Sequence, residues 1–176
     1  MMNSVLVHLC CVHCSAYTLK FWQQQGYRVS AFWFNPNIHP EKEHFLRLEA
    51  VRSLLAREDI ELVEYPRYEP HVYFESIKNR DIERCSACVR LRMQKTATEA
   101  LKLGFTAFTS SLLISPQQAH DETVLAGDEA AGSTGLLFLY SDLRRRYSDS
   151  RVITKGMDFY RQHYCGCIYS LGEAGG

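Results

Sequence analysis

The sequence predicts a three-layer α/β domain built on a mostly parallel sheet of about five strands. Two observations carry that expectation. Short apolar runs rich in β-branched residues alternate along the chain with longer segments of helical period, and glycines or prolines punctuate the changeovers. The chain is also large and apolar enough for one core: at 176 residues and 46% hydrophobic content, folding removes roughly 70% of the extended-chain surface from water. A single domain over residues 1–176 is expected, with right-handed crossovers between parallel strands.

Residues 4–9 form the first strand run and end in Cys10; residues 15–25 have helical spacing closed by Gly26. A second strand, 29–34, stops at the turn signal Asn35-Pro36-Asn37. The helix over 41–57 carries Phe45, Leu48, Val51, Leu54 and Leu55 at its period. A third strand is expected at 60–65, then loop with a short helix to 84, and a strong helix over 85–103 closed by Gly104. Residues 105–114 are the fourth strand candidate. Ser115-Pro116 reads as a helix start running toward Ala131, with a break at 132–135. Residues 136–140 make the fifth strand, and 141–164 form a polar, basic helical stretch leading into Cys165.

In an open parallel sheet, ligands sit beyond the carboxyl ends of the strands. These strand ends gather Cys10-Cys11, Asn35-Pro36-Asn37, Ser110-Ser111 to Ser115, and Ser141-Asp142 on one rim. All 7 cysteines fall in three clusters: Cys10, Cys11 and Cys14; Cys85 and Cys88; Cys165 and Cys167. Met1-Met2-Asn3-Ser4 has no basic leader character, and no apolar run approaches the roughly 18 residues of a span, so a cytoplasmic, non-membrane protein is expected. There, clustered thiols mean metal or redox chemistry rather than crosslinks.

Thiolates suit zinc, copper(I) and iron-sulfur clusters, and a cubane takes about four. Seven are too many for one such site. A structural zinc uses only part of the set, and a thioredoxin-like dithiol uses one pair. Consecutive side chains diverge, so Cys10 and Cys11 are expected to serve two neighbouring centres rather than chelate one ion. Cys85 and Cys88 open a helix whose dipole favours their thiolates, and Gly166 frees the backbone to turn both Cys165 and Cys167 inward.

Five segments then resemble the epoxyqueuosine reductase QueH family. They are Cys10-Cys11-x-x-Cys14, Asn35-Pro36-Asn37-Ile38-His39-Pro40, Arg84-Cys85-x-x-Cys88-x-Arg90-Leu91, Thr109-x-x-Leu112-Leu113-Ile114-Ser115-Pro116, and Tyr160-Arg161-Gln162-x-Tyr164-Cys165-Gly166-Cys167. The resemblance runs from about Leu6 to Ser170. It implies a Rossmann-like fold of the adenine-nucleotide α-hydrolase type and the last step of queuosine synthesis, in which the epoxide of epoxyqueuosine in a tRNA anticodon loop is reduced to the alkene. It further implies a [4Fe-4S] cluster with an additional iron beside it, held by the seven cysteines, although an aspartate can replace Cys14 in the family. The Ser-Gly-Gly-x-Asp-Ser phosphate loop of related ATP pyrophosphatases is absent, so ATP use is not expected.

Under that resemblance Cys10 and Cys11 are expected at the reacting centre. Asn35, Asn37, His39, Ser115, Tyr160, Arg161 and Gln162 are candidate substrate contacts. Electrons would come singly from a ferredoxin or flavodoxin-type donor. Proton delivery has four candidates: His13, His39, Asp81 and Asp142. With no net charge, RNA needs a local patch. Arg144, Arg145, Arg146, Arg151, Lys155 and Arg161 offer one, and Trp33, Phe34, Tyr160 and Tyr164 are candidates for stacking a base. A zinc- or iron-sulfur-stabilised RNA-binding module without redox activity, and a dithiol oxidoreductase, are the rival readings.

Overall fold

A computed structural model describes residues 3–65, 67–78 and 83–174. Its centre is a sheet of five strands in the order β3-β2-β1-β4-β5, all parallel: β1 Ser4–His8, β2 Arg28–Trp33, β3 Leu62–Glu64, β4 Ala107–Ser110 and β5 Leu137–Phe138. The helices are α1 Val12–Gln24, α2 Glu41–Glu58, α3 Pro70–Ser76, α4 Arg84–Lys102, α5 His120–Thr134, α6 Tyr147–Ile153 and α7 Ile168–Ala174.

β1 is central because it is apolar on both faces. Val5, Val7 and Leu9 point into a core with Leu19 and Trp22 of α1 and Val51, Leu54 and Leu55 of α2. Leu6 points the other way, among Val89, Met93 and Ala97 of α4 and Ala126 and Ala130 of α5. Helices therefore cover both faces, the arrangement that a fully buried parallel strand requires. At the carboxyl end of β1, His8 ties three strands together. Its Nε2–H donates to the Phe34 carbonyl (3.1 Å) and its Nδ1 accepts from the Ser110 hydroxyl (3.1 Å). Burial, reinforced by the field of Arg92, lowers its pKa to about 4, so the ring is neutral at physiological pH.

Four local expectations are corrected. The fourth apolar run is a strand only at β4; Ser111–Ile114 form a 3-10 turn, because Ser110 Oγ accepts from the Leu112 N–H (3.1 Å) and caps it. The next helix begins at His120 rather than Ser115, since Ser115 Oγ takes up the Gln117 N–H (3.3 Å) in a turn. The basic stretch is helical only over Arg144–Arg146 and α6, after which turns and irregular chain reach Cys165. Helix α7 follows the last cysteine, where no helix was expected.

Candidate metal and substrate site

Beyond the carboxyl end of β1 the chain turns sharply. Cys11, in extended conformation, serves as the N-cap of α1, and Ser15 Oγ–H donates back to its carbonyl (2.6 Å). This turn brings Cys10, Cys11 and Cys14 together: their sulfurs all lie within 4.8 Å of one another, and all three residues are buried. The expected divergence of Cys10 and Cys11 is thus reversed, because the two straddle the strand-to-helix corner instead of lying on one regular element. Thiolates about 2.3 Å from one ion stand roughly 3.8 Å apart in a tetrahedral set, so the trio suits a single ion. The three thiols share charge. Hydrogen bonds from Cys10, then Cys14, draw Cys11 well below the ordinary thiol value, while bonding to their neighbours raises Cys10 and pushes Cys14 well up.

The other four cysteines line a second cavity, of about 150 Å³, with Asn37, Arg92, Gln117 and Gln118 among its walls. Cys85 and Cys88 lie in the first turns of α4, as expected, but both thiols are raised: burial pushes Cys88 up to about 11 and raises Cys85, against opposing guanidinium fields. Cys167 goes the other way. Burial raises it, but hydrogen bonding with the Ser170 side chain and the Ser170 N–H, which donates at 3.4 Å, together with that of Tyr73 and Tyr169, outweighs this and leaves it lowered. The Gln118 amide donates to Cys165 Sγ (3.2 Å).

The Cys165-Gly166-Cys167 turn is held from beneath by α2. Arg47, paired with Glu43 at 2.7 Å, donates through Nη1 to the Cys165 carbonyl (2.8 Å) and through Nη2 to the Tyr164 carbonyl (3.0 Å). Tyr160 hydrogen-bonds to Glu43 and Tyr164 to the His39 carbonyl. Gly166 has φ +148, a conformation that side chains rarely adopt, and a Cβ there would stand 3.2 Å from Ile38 Cγ1 and 3.4 Å from Arg47 Nη1, so backbone and close approach both favour glycine.

Above the Cys10 trio opens a cavity of about 240 Å³ whose lining is mainly polar and cationic. It includes His13, Ser115, Gln117, Gln118, Tyr147, Arg151, Arg161, Gln162, His163 and Cys165. Cys165, Gln117 and Gln118 belong to both cavities; the two thiol groups adjoin there. His13 reaches in from α1. Its Nδ1–H donates to Thr154 Oγ1 (2.8 Å), whose own hydroxyl is turned to the Ser150 and Arg151 carbonyls, and its Nε2 is buried with no partner among the described residues. Burial, then the fields of Arg161 and Arg151, lower its pKa.

Of the residues singled out in the sequence, all seven cysteines line one cavity or the other, and Ser115, Arg161 and Gln162 line the first and Asn37 the second. Others have structural work. Asn35 Nδ2 donates to the Leu9 carbonyl (2.8 Å), and His39 Nδ1 accepts the Ile168 N–H (3.2 Å) while its ring stacks on Phe74. Tyr160 binds Glu43.

Asp142, a candidate proton donor, lines neither of these two cavities. It is exposed, and Arg144 (2.6 Å) holds its carboxyl far below the usual carboxylate range, so it stays ionised. Asp81 lies outside the described residues. Trp33 and Phe34 are buried in the core and offer no face for a base. Arg144 and Arg146 are paired with Asp142 and Asp149, which leaves Arg151 and Arg161 as the cavity-facing members of the basic stretch. Arg47, Arg92, Gln117 and Gln118 carried no sequence signal beyond their closeness to the motifs.

The chain is 49% identical over 173 residues to epoxyqueuosine reductase QueH of Dehalococcoides mccartyi, covering 98% of this chain and 95% of that one. It is 31% identical to the Streptococcus pyogenes enzyme of the same name, over 98% and 72%. At 32% identity it aligns to 95% of its own length with the Helicobacter pylori relative but spans about half (49%) of that longer chain.

Solved structures share the fold at low identity. U34-tRNA thiolase NcsA from Methanococcus maripaludis, solved with its [4Fe-4S] cluster, superposes with a TM-score of 0.57 at 14% identity over 98% of this chain and 64% of that one. A predicted subunit of tRNA methyltransferase from Methanocaldococcus jannaschii gives 0.53 at 10% identity, over 84% and 76%. The model of the family described as epoxyqueuosine reductase QueH matches residues 5–173, and the chain accordingly belongs to that family of tRNA-modifying oxidoreductases.

Proposed function

We propose that the reduction of epoxyqueuosine takes place at the junction of the two cavities, with the seven thiols divided four and three. One observation carries this reading: two groups of cysteines line adjoining cavities that share Cys165, Gln117 and Gln118, and only the Cys10 cavity is walled by His13, Arg151 and Arg161. Cys85, Cys88, Cys165 and Cys167 would hold a [4Fe-4S] cluster, for which four thiolates are the usual ligand set. Cys10, Cys11 and Cys14 would hold the additional iron. Three protein thiolates leave a position open. When bound, the metals supply electrons one at a time and a Lewis acid for the epoxide oxygen.

The chain's own residues supply the rest. Converting the epoxide to the alkene consumes two electrons and two protons and releases the oxygen as water. His13 is placed to pass a proton at Nε2, since Thr154 fixes its Nδ1–H and leaves Nε2 as the free site. Arg151 and Arg161 attract the anticodon-loop phosphates, while Gln162 and Ser115 offer neutral hydrogen-bonding groups to the nucleoside. A ferredoxin or flavodoxin-type protein is the electron source.

The test is anaerobic reconstitution followed by turnover on tRNA carrying epoxyqueuosine, read by nucleoside analysis. The wild-type chain should carry iron and sulfide and accumulate queuosine. Cys10→Ser and Cys88→Ser should each abolish turnover, the second also removing most of the sulfide; a colourless zinc protein would refute the redox assignment. His13→Gln should keep its iron while slowing turnover by about 10²–10⁴-fold.

A further inference from the structure

The site contains a buried positive charge that the reading above does not use. Cys85, Cys88 and Arg92 fall at i, i+3 and i+7 of α4 and so share one face of the helix. That face forms a wall of the four-cysteine cavity. Arg92 is only 3% exposed, and its Nε–H donates to the Cys88 carbonyl (3.2 Å).

A guanidinium cannot shed its charge, and burying one without an anion is costly. Arg47 shows the ordinary solution, a buried carboxylate at 2.7 Å. Arg92 has none: among the described residues no carboxylate pairs with it, and the groups that act on it when ionised, as metal binding makes them, are the thiols of Cys88, Cys165 and Cys10. These thiols come from both cysteine groups. The guanidinium also hydrogen-bonds to the Cys88 side chain, and a thiol bound to metal is a thiolate, so the negative charge that balances Arg92 resides in the thiolate site once metal is bound.

We propose that Arg92 is the resident counter-charge of the four-thiolate centre, a positioning residue that makes this centre easier to reduce. The inference rests on the cluster assignment above. A cluster held by four thiolates is net negative, and each electron taken from the external donor protein adds one more negative charge beside Arg92. A fixed cation in a low-dielectric wall stabilises the reduced form more than the oxidised one. It therefore raises the midpoint potential without touching the substrate.

The test is an EPR-monitored redox titration of anaerobically reconstituted wild type, Arg92→Met and Arg92→Lys, with iron and sulfide measured on the same samples. Removing the charge should lower the reduced-to-oxidised ratio at the wild-type midpoint by on the order of tenfold. For a one-electron couple this is a shift of about 59 mV to more negative potential. Arg92→Lys, which keeps the charge, should stay near wild type.

An unchanged midpoint in loaded Arg92→Met, or an equal shift in both variants, would overturn the proposal. If Arg92→Met folds by circular dichroism but does not load iron, loading of Arg92→Lys supports the counter-charge role, and loss of iron in both assigns Arg92 to shape alone. Absence of iron and sulfide from the wild type would instead defeat the cluster assignment, and is seen before any variant is compared.

Discussion

Arg47 fixes the turn on which Cys165 and Cys167 are presented, and it does so as a fully neutralised pair with Glu43 inside the fold. Replacing it with methionine leaves the Glu43 carboxylate buried without its partner and frees two carbonyls. A loss of about 3–5 kcal/mol is expected, seen as a fall of about 10 °C in the Tm of the metal-free protein at roughly 2–4 °C per kcal/mol. A Tm within a degree or two of wild type would mean that the pair contributes nothing to the turn.

His44 makes a second prediction at this scale. The Trp33 indole N–H donates to its Nε2 (3.0 Å), which requires the neutral ring, and burial with the fields of Arg47 and Arg52 lowers its pKa to about 4. The unfolded chain, near 6.5, binds the proton first. The stability linked to His44 is therefore complete above pH 6.5 and is lost as pH falls toward 4; His8, also lowered to about 4, acts with the same sign. Urea unfolding between pH 7 and 4.5 should show a falling midpoint, and Trp33→Phe should move the His44 titration, followed by NMR, up toward 6.5.

Among the elements, α5 and β5 approach closely at Gly127. A Cβ on Gly127 would lie 2.3 Å from the Phe138 ring, which packs against Phe108 on the neighbouring strand. Gly127→Ala gains intrinsic helix propensity but overpacks this contact, which costs typically about 1–3 kcal/mol. The net effect should be a lower Tm; a stabilised variant would show that Phe138 swings away freely.

The elements also show what sequence can reveal. The first three strands and α2 and α4 were legible because they carry unbroken apolar patterns and end in turn signals. The fourth run carries apolar residues on both sides of Thr109-Ser110-Ser111, and that pattern alone does not separate strand from 3-10 turn; the Ser110 side chain decides it. Helix α7 is short and has no buried residue, so no periodicity marks it. The cysteines were legible from spacing, but their division into three and four was not, because it depends on the corner between β1 and α1. Arg47 and Arg92 are ordinary helix residues in sequence, and only the packing of α2 and α4 against the cysteine turns gives them a role.

On the scale of the whole molecule, charge decides how an RNA with a strongly negative backbone meets a chain of zero net charge. Long-range attraction from the whole protein is absent, so binding depends on the cations at the cavity mouth. Arg144 and Arg146 are spent on Asp142 and Asp149, whereas Arg151 and Arg161 face the cavity without an ion-pair partner among the described residues. Each phosphate neutralised on a single-stranded loop contributes about 0.7 to the steepness of log affinity against log salt.

If both arginines hold phosphates, the double variant Arg151→Met, Arg161→Met should flatten that slope by about 1.4 and weaken binding most at low salt. Arg144→Met should leave the slope nearly unchanged, since its charge is already matched. Binding of modified tRNA by fluorescence anisotropy across a salt series separates the two outcomes. Equal slopes for wild type and the double variant would place the RNA backbone elsewhere on the surface, and the cavity would then receive the modified base without gripping the strand beside it.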